Sequence, residues 1–247
     1  KPMLIAANWK MNKNYSEAFE YVRELRDKFT AKKDRQILVC PPFVDLGAFK
    51  QFKAEFNRMG IFYGGQNCHW ENSGAFTGEI SASMLHNEGC GYCIVGHSER
   101  RAYFKEAEAE IAKKVKAVQS ADLIPILCIG ETEAERARGE TIDILAYQMR
   151  EGLSQIIQGK QVVIAYEPVW SIGTGNVPFL GEIKDIHEII RKKCVEFLGE
   201  DLGNRTTILY GGSVNPQNAK EIDEVANVNG FLIGGASLKV DSLLAIY

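Results

Sequence analysis

Short apolar runs alternate with longer amphipathic stretches along most of the chain. The runs are rich in β-branched residues, which is typical of buried strands, and the longer stretches repeat apolar residues at helical spacing. We predict eight strands, over 4–9, 37–40, 61–64, 92–95, 124–129, 162–166, 207–210 and 231–233. We predict helices over 16–29, 46–56, 80–87, 106–120, 131–157 with a break near Gly139, 183–198, after Pro216, and 237–246.

Eight strand–helix units in 247 residues predict a (β/α)₈ barrel. We expect one domain over residues 1–247, because no Pro/Gly/Ser-rich linker or shift in composition divides the chain. A doubly wound open sheet is the alternative that the same alternation allows.

Composition narrows the class of partner. Hydrophobic residues make up 45% and charged residues 25%, the net charge is −3, and no long basic block occurs. This balance favours neither a nucleic acid nor a membrane as partner. No apolar run reaches the roughly 18 residues of a membrane span, and no secretory signal opens the chain. The six cysteines are scattered, which fits reduced thiols in a cytoplasmic protein.

Polar residues and glycine pairs follow several predicted strands. In a barrel, the chemistry is located where strands end and the following loops begin. Those positions hold Asn8 and Lys10, His97, Glu167, and the glycine pairs at 211–212 and 234–235. Each alone fits a solvated charge, a structural histidine or a plain turn. Their occurrence together at one rim indicates an active site.

Glu167 ends the sixth predicted strand and precedes a loop with Pro168, Trp170 and two glycines. A carboxylate on a rigid strand before such a loop suggests a catalytic base under a lid. The glycine pairs after the last two strands suit phosphate binding by backbone N–H groups. No Lys-Ser/Thr follows a glycine run, so a small phosphorylated substrate fits better than a nucleoside triphosphate.

Eight motifs, in order, resemble those of the triosephosphate isomerase family over the whole chain. They are Ala-Asn-Trp-Lys at 7–10, Gly-Ala-Phe-Thr-Gly-Glu at 74–79, Gly-His-Ser-Glu-Arg-Arg at 96–101, Cys-Ile-Gly-Glu-Thr at 128–132, Tyr-Glu-Pro-Val-Trp at 166–170, Ile-Gly-Thr-Gly at 172–175, Tyr-Gly-Gly-Ser-Val at 210–214 and Gly-Gly-Ala-Ser at 234–237. The resemblance implies interconversion of dihydroxyacetone phosphate and D-glyceraldehyde 3-phosphate, in glycolysis and gluconeogenesis.

The resemblance also implies residue roles. Glu167 would be the base, His97 a neutral electrophile, and Lys10 with Asn8 would stabilise the enediolate. Backbone N–H groups would bind the phosphate, at Gly173, Ser213, Gly234 and Gly235. Three residues would contact the catalytic side chains without touching the substrate: Ser98, Glu99 and Cys128. The helix that begins at Ser98 and Glu99 would disfavour the protonated form of His97. No metal or organic cofactor is expected, because the proton moves within one substrate.

The lid would run from Pro168 to Pro178 and include Val169, Trp170, Thr174 and Gly175. In the family, the tyrosine that matches Tyr210 accepts the backbone N–H of the residue that matches Pro178 when the lid closes. Proline has no N–H, so this latch cannot form here. We expect a closed state weakened by about 0.5–1.5 kcal/mol, unless the stiffer hinge offsets the loss.

The loop at 72–78 carries Phe76 between small residues. A surface turn is one interpretation. The resemblance implies instead a dimer arm whose tip, Thr77, inserts beside the catalytic residues of a second copy, so we expect a homodimer.

Three rival functions stay open. The chain could be another barrel enzyme acting on a small phosphorylated sugar, or an inactive barrel used for binding. Cys90 and Cys93 have C-x-x-C spacing, which could indicate redox chemistry, although this pair enters a strand rather than starting a helix.

Overall fold

The computed structural model describes residues 1–247 and contains a closed barrel of eight parallel strands in chain order. The strands are β1 (Met3–Asn8), β2 (Arg35–Cys40), β3 (Ile61–Gly65), β4 (Tyr92–Val95), β5 (Ile124–Ile129), β6 (Val163–Tyr166), β7 (Ile208–Tyr210) and β8 (Gly230–Ile233). β1 pairs with both β2 and β8, which closes the barrel. The predicted barrel is therefore confirmed, and the open-sheet alternative is wrong.

The helices surround the barrel. They are α1 (Tyr15–Lys28), α2 (Leu46–Lys50), α3 (Lys53–Met59), α4 (Ala82–Asn87), α5 (Ser98–Tyr103), α6 (Glu108–Ser120), α7 (Glu133–Ala137), α8 (Thr141–Gly152), α9 (Leu180–Leu198), α10 (Glu200–Arg205), α11 (Ala219–Asp223) and α12 (Val240–Ile246). None of them is both long and apolar enough to cross a membrane.

The strands are buried on both faces, which explains their nearly continuous apolar runs. Side chains such as Leu4, Ala6, Ile126 and Cys128 form one cluster of 11 buried residues. Their neighbours, such as Ile5, pack outward in a cluster of 51 buried residues. Because side chains alternate along a strand, the first cluster fills the barrel and the second lies under the helices.

The predicted helix over 46–56 is wrong as one element, because it is interrupted between α2 and α3. Phe52 has φ −109° and ψ 11°, outside the helical range, and its ring lies 6.3 Å from that of Phe19. Apolar spacing cannot detect a single non-helical residue inside a periodic segment.

The predicted helix over 131–157 is also two helices, and the expected break near Gly139 is confirmed by its φ of 72°. The second helix ends at Gly152, five residues earlier than predicted. The chain then turns, and the Ile157 N–H donates to Oε1 of Gln119 at 2.8 Å. The residues after the helix are thus held by a side chain distant in sequence.

Helix starts account for most of the other differences. Helix α1 begins one residue before the predicted Ser16, because Asn14 and Glu17 form a capping box. Glu106, expected to open a helix, instead accepts from Arg100 at 2.7 Å and lies 3.1 Å from the Lys114 ammonium. Helix α5 begins at Ser98, where the family resemblance implied a helix start, and α10 was not predicted.

His187 is a buried histidine outside the strand ends. It lies on α9 between the rings of Tyr166 and Tyr210, at 6.0 and 6.1 Å. Its Nδ1 lies 3.0 Å from the carbonyl oxygen of Asn227, and Nε2 is buried without a partner. Burial lowers the pKa of the imidazole to about 4.

This shift predicts a pH dependence of stability. Below pH 6.5 the unfolded chain protonates this histidine while the folded chain does not, so stability is lost as the pH falls towards 4. Between pH 7.5 and 5 we expect His187 to account for about 2 kcal/mol of lost unfolding free energy. Urea unfolding of His187→Gln should have a correspondingly flatter pH dependence. The exposed His86, changed to Gln, is the control, and an equal flattening there would contradict this assignment.

Candidate active site

The cavity at the carboxyl ends of the strands has a volume of about 230 Å³. Eleven of the residues predicted from the sequence line it: Asn8, Lys10, His97, Glu167, Gly173, Gly175, Gly211, Gly212, Ser213, Gly234 and Gly235. These residues come from the ends of five strands, β1, β4, β6, β7 and β8, and from the loops that follow them. The structure therefore brings the predicted catalytic and phosphate-binding positions together.

Glu167 is placed by extension of the strand ladder beyond β6. Its N–H donates to Ile129 O at 2.7 Å, and the Gly211 N–H donates to Tyr166 O at 2.7 Å. A Cβ on Gly211 would lie 2.9 Å from Cγ of Glu167. A glycine is therefore needed at 211 for the carboxylate to occupy this position.

Glu167 and His97 are in direct contact. Oε2 of Glu167 lies 2.8 Å from Nε2 of His97, and the residues are only 2% and 5% exposed. Burial acts to raise the pKa of Glu167, but His97 outweighs it and the pKa lies below its ordinary value. The carboxylate is therefore charged in this site and ready to accept a proton.

His97 caps the helix that follows it. The backbone N–H of Glu99 donates to Nδ1 at 3.1 Å, so the proton of the neutral ring lies on Nε2, facing Glu167. Burial acts to lower the pKa of this imidazole, but the neighbouring Glu167 raises it above its ordinary value. The helix start that was expected to lower the pKa of His97 lies beside the ring. The contact with Glu167 nevertheless raises this pKa.

Lys10 reaches the cavity from the loop after β1. The side-chain Nζ of Lys10 lies 2.6 Å from Oε1 of Glu99. The backbone N–H of Lys10 donates to Oδ1 of Asn8 at 3.0 Å. A Cβ on Gly234 would lie 3.7 Å from Nζ. The ammonium therefore lies between α5 and the glycine pair after β8.

Backbone donors face the cavity from two sides. The N–H groups of Gly173 and Gly234 have no acceptor within the chain. The Ser213 N–H lies 3.4 Å from Oγ of Ser171, a weak contact. Free N–H groups beside a lysine ammonium make this part of the cavity suitable for an anion.

A second cavity, of about 210 Å³, lies on the other side of Glu167 and includes Ser98, Cys128 and Val169. Burial and the nearby Glu167 carboxylate raise the pKa of the Cys128 thiol. This thiol is thus a packed neighbour of the base, not an activated nucleophile. Cys90 and Cys93 are also buried free thiols, and burial raises the pKa of Cys90 to about 12, which is unsuited to redox exchange.

Sequence reasoning missed the residues that hold the near end of the lid. Glu131, only 1% exposed, accepts from the Tyr166 hydroxyl at 2.8 Å and from the Trp170 indole at 3.0 Å. The Arg136 guanidinium lies 3.9 Å from the centre of the Trp170 ring. The sequence offered one signal for this role, because Glu131 lies two residues after the end of β5. Ile172, which lies within the predicted lid, and Leu232, which carried no signal in the sequence, add apolar surface to the main cavity.

The far part of the lid contacts the loop after β7. The Ser213 hydroxyl donates to Ser171 O, and the Gly175 N–H lies 3.3 Å from Oγ of Ser213. The Tyr210 hydroxyl is buried without a hydrogen-bond partner. Gly173 and Gly175 have φ of 67° and 78°, which glycine adopts without strain. Thr174 is exposed, and its hydroxyl accepts the Asn176 N–H at 3.0 Å.

No group of three or more His, Cys, Asp or Glu side chains is arranged to hold a metal ion. The polar groups of the main cavity are instead a base, a ring N–H, an ammonium and backbone amides. This set can move a proton and stabilise negative charge on oxygen.

Comparison with known proteins gives the same family throughout. A family model described as triosephosphate isomerase matches residues 3–247. The triosephosphate isomerase of Endomicrobium trichonymphae is 44% identical over 97% of this chain and 95% of its own length. That of Carboxydothermus hydrogenoformans is 44% identical over 98% of this chain and 96% of its own.

A solved structure agrees in fold. The crystal structure of triosephosphate isomerase from Bartonella henselae superposes with a TM-score of 0.87 at 36% identity, covering 100% of this chain and 98% of that one. The chain therefore belongs to the triosephosphate isomerase family.

Proposed function

We propose that the protein interconverts dihydroxyacetone phosphate and D-glyceraldehyde 3-phosphate through an enediolate, as a cytoplasmic enzyme of glycolysis and gluconeogenesis. The observation that carries this is the buried Glu167 carboxylate 2.8 Å from Nε2 of His97, in a cavity shared with Lys10. The cytoplasmic assignment is supported by six unpaired cysteines.

Glu167 removes a proton from the carbon next to the carbonyl. The Nε2–H of His97 donates to the carbonyl oxygen as negative charge develops there, and the Lys10 ammonium stabilises that charge. Glu167 then returns the proton to the neighbouring carbon. His97 gives its Nε2 proton to the former carbonyl oxygen and takes the proton of the former hydroxyl in exchange, so a proton moves between the two oxygens as well. The oxidation of one carbon balances the reduction of the other, so no external oxidant, reductant or cofactor takes part.

The phosphate is bound by the free N–H groups of Gly173 and Gly234, with those of Ser213 and Gly235 beside them. Lys10 contributes positive charge at the same end of the cavity. The lid, Pro168 to Pro178, encloses this group when it closes. Excluding water strengthens each of these contacts and holds the enediolate until it is reprotonated, before phosphate can be eliminated.

We further propose that the active form is a homodimer. Phe76 is 42% exposed, and its ring stacks on His69 at 4.3 Å, which orders the loop that carries it. A cavity of about 250 Å³ beside Lys10 and His97 is bordered by Met11, which is 95% exposed. A projecting loop and an open pocket on one chain suit a two-fold symmetric contact, in which Thr77 of each copy enters the other's pocket.

Glu167→Gln tests the base. The amide keeps the size of the side chain but cannot accept the proton, so we expect kcat to fall by at least about 100-fold. A coupled assay of glyceraldehyde 3-phosphate formation measures this. A wild-type protein without isomerase activity would overturn the proposed function in favour of a binding role, and full activity in Glu167→Gln would overturn the role of this residue.

Pro178→Ala tests the missing latch. The variant restores a backbone N–H at 178 that can donate to the unpaired Tyr210 hydroxyl, so we expect the closed lid to gain about 0.5–1.5 kcal/mol and phosphate to inhibit more strongly. Tyr210→Phe should leave inhibition unchanged in the wild type and weaken it in Pro178→Ala. The same effect of Tyr210→Phe in both backgrounds would contradict this interpretation.

Thr77→Arg tests the dimer. A bulky cation at the loop tip should prevent insertion, so we expect the mass measured by light scattering to fall towards that of one chain and kcat/KM to fall at least tenfold. Gln158→Arg, at an exposed turn before β6, is the matched control. A wild-type protein that is monomeric and fully active would exclude the homodimer.

A further inference from the structure

Lys10 has an unusual backbone conformation. Its φ is 56°, in the left-handed region that a residue with a Cβ seldom adopts. For a residue with a Cβ this conformation is less stable than the right-handed one, because the Cβ lies too close to the following carbonyl oxygen. Such strain persists only where the surrounding contacts hold the residue in place.

Gln66 supplies such a contact from the segment that follows β3, on the other side of β2 from β1. It follows the last residue of β3, and its Nε2 donates to Lys10 O at 2.9 Å and to Cys40 O at 2.9 Å. The two hydrogens of one amide thus join the loop after β1 to the end of β2. Cys40 O also accepts the Trp9 N–H at 3.2 Å, which continues the β1–β2 ladder. The Gln66 amide therefore donates to a carbonyl that already belongs to the barrel.

The other contacts of Lys10 cannot do the same. Asn8, the last residue of β1, accepts the Lys10 backbone N–H and so holds the amide before Lys10, but it does not contact the Lys10 carbonyl. Glu99 pairs with the ammonium, which leaves the backbone free, and this pair is 31% and 37% exposed. Gln66 is therefore the side chain that fixes the Lys10 carbonyl relative to the barrel.

We propose that Gln66 is a positioning residue that holds the strained Lys10 peptide and so keeps the Lys10 ammonium in the cavity. This rests on the proposed function of Lys10. Without the amide of Gln66, the peptide after Lys10 rotates to relieve the left-handed conformation. The ammonium then leaves its place beside Gly234, where it would stabilise the enediolate and the phosphate.

Gln66→Met tests this, because methionine has a similar length and no N–H donor. We expect kcat/KM to fall at least tenfold, with a higher KM and weaker competitive inhibition by inorganic phosphate. The matched control is Gln119→Met. Gln119 also donates to a backbone carbonyl, Gln161 O at 3.0 Å, but lies at the end of α6, away from the cavity. The control should lose stability and change kcat/KM by less than twofold.

A second comparison separates positioning from general damage. In a Lys10→Met background, which has no ammonium to place, Gln66→Met should change kcat/KM and phosphate inhibition by less than twofold. Where the turnover of the Lys10→Met proteins is too small for kcat/KM to be compared, the strength of inhibition by inorganic phosphate is compared instead. An equal loss with and without the lysine, or a loss below twofold in the wild type, would overturn the proposal.

Two measurements keep the result specific. Gln66 also lines the cavity proposed to receive the loop of a second copy, so its substitution could disturb assembly. If Gln66 only positions Lys10, light scattering of Gln66→Met should give the wild-type mass. A change in mass would assign the effect to assembly and overturn the positioning role. The activity of the wild-type protein tests the proposed isomerase function independently of Gln66.

Discussion

Closure of eight parallel strands is the constraint on which the rest of the structure depends. Parallel pairing directs every strand in the same sense, so all the carboxyl ends meet at one rim. Asn8 is the last residue of β1, His97 follows β4 after one glycine, and Glu167 directly follows β6, so residues from distant parts of the chain lie at this rim. The ladder contacts that continue past the strands, such as Glu167 N–H to Ile129 O, carry the precision of the barrel into the site.

The charged groups of the site are coupled, so none of them acts alone. Burial opposes the charge on Glu167, and His97 offsets it. His97 is in turn fixed by the Glu99 N–H at Nδ1, while the Glu99 carboxylate pairs with Lys10. An unpaired charge on a side chain as buried as Glu167 would cost folding free energy. The imidazole of His97 and the ammonium of Lys10 beside it reduce this cost.

The segment from Pro168 to Pro178, proposed above as a lid, is held differently at its two ends. The near end is attached to the barrel through Trp170 and the buried Glu131. The far part depends on Ser171 and Ser213, while the Tyr210 hydroxyl beside it stays unpaired. Pro178 has no N–H that could donate to this hydroxyl.

The sequence alone determined the eight strands, the barrel and the residue types at its rim, because apolar periodicity and strand ends are local features. It did not determine that one helical region is interrupted at Phe52 or that another ends at Gly152, since the apolar spacing continues past both residues. The roles of Glu131 and Gln66 likewise arise only from tertiary structure. Hydrogen bonds between residues far apart in the chain leave no periodic trace, so they become visible only when the barrel closes.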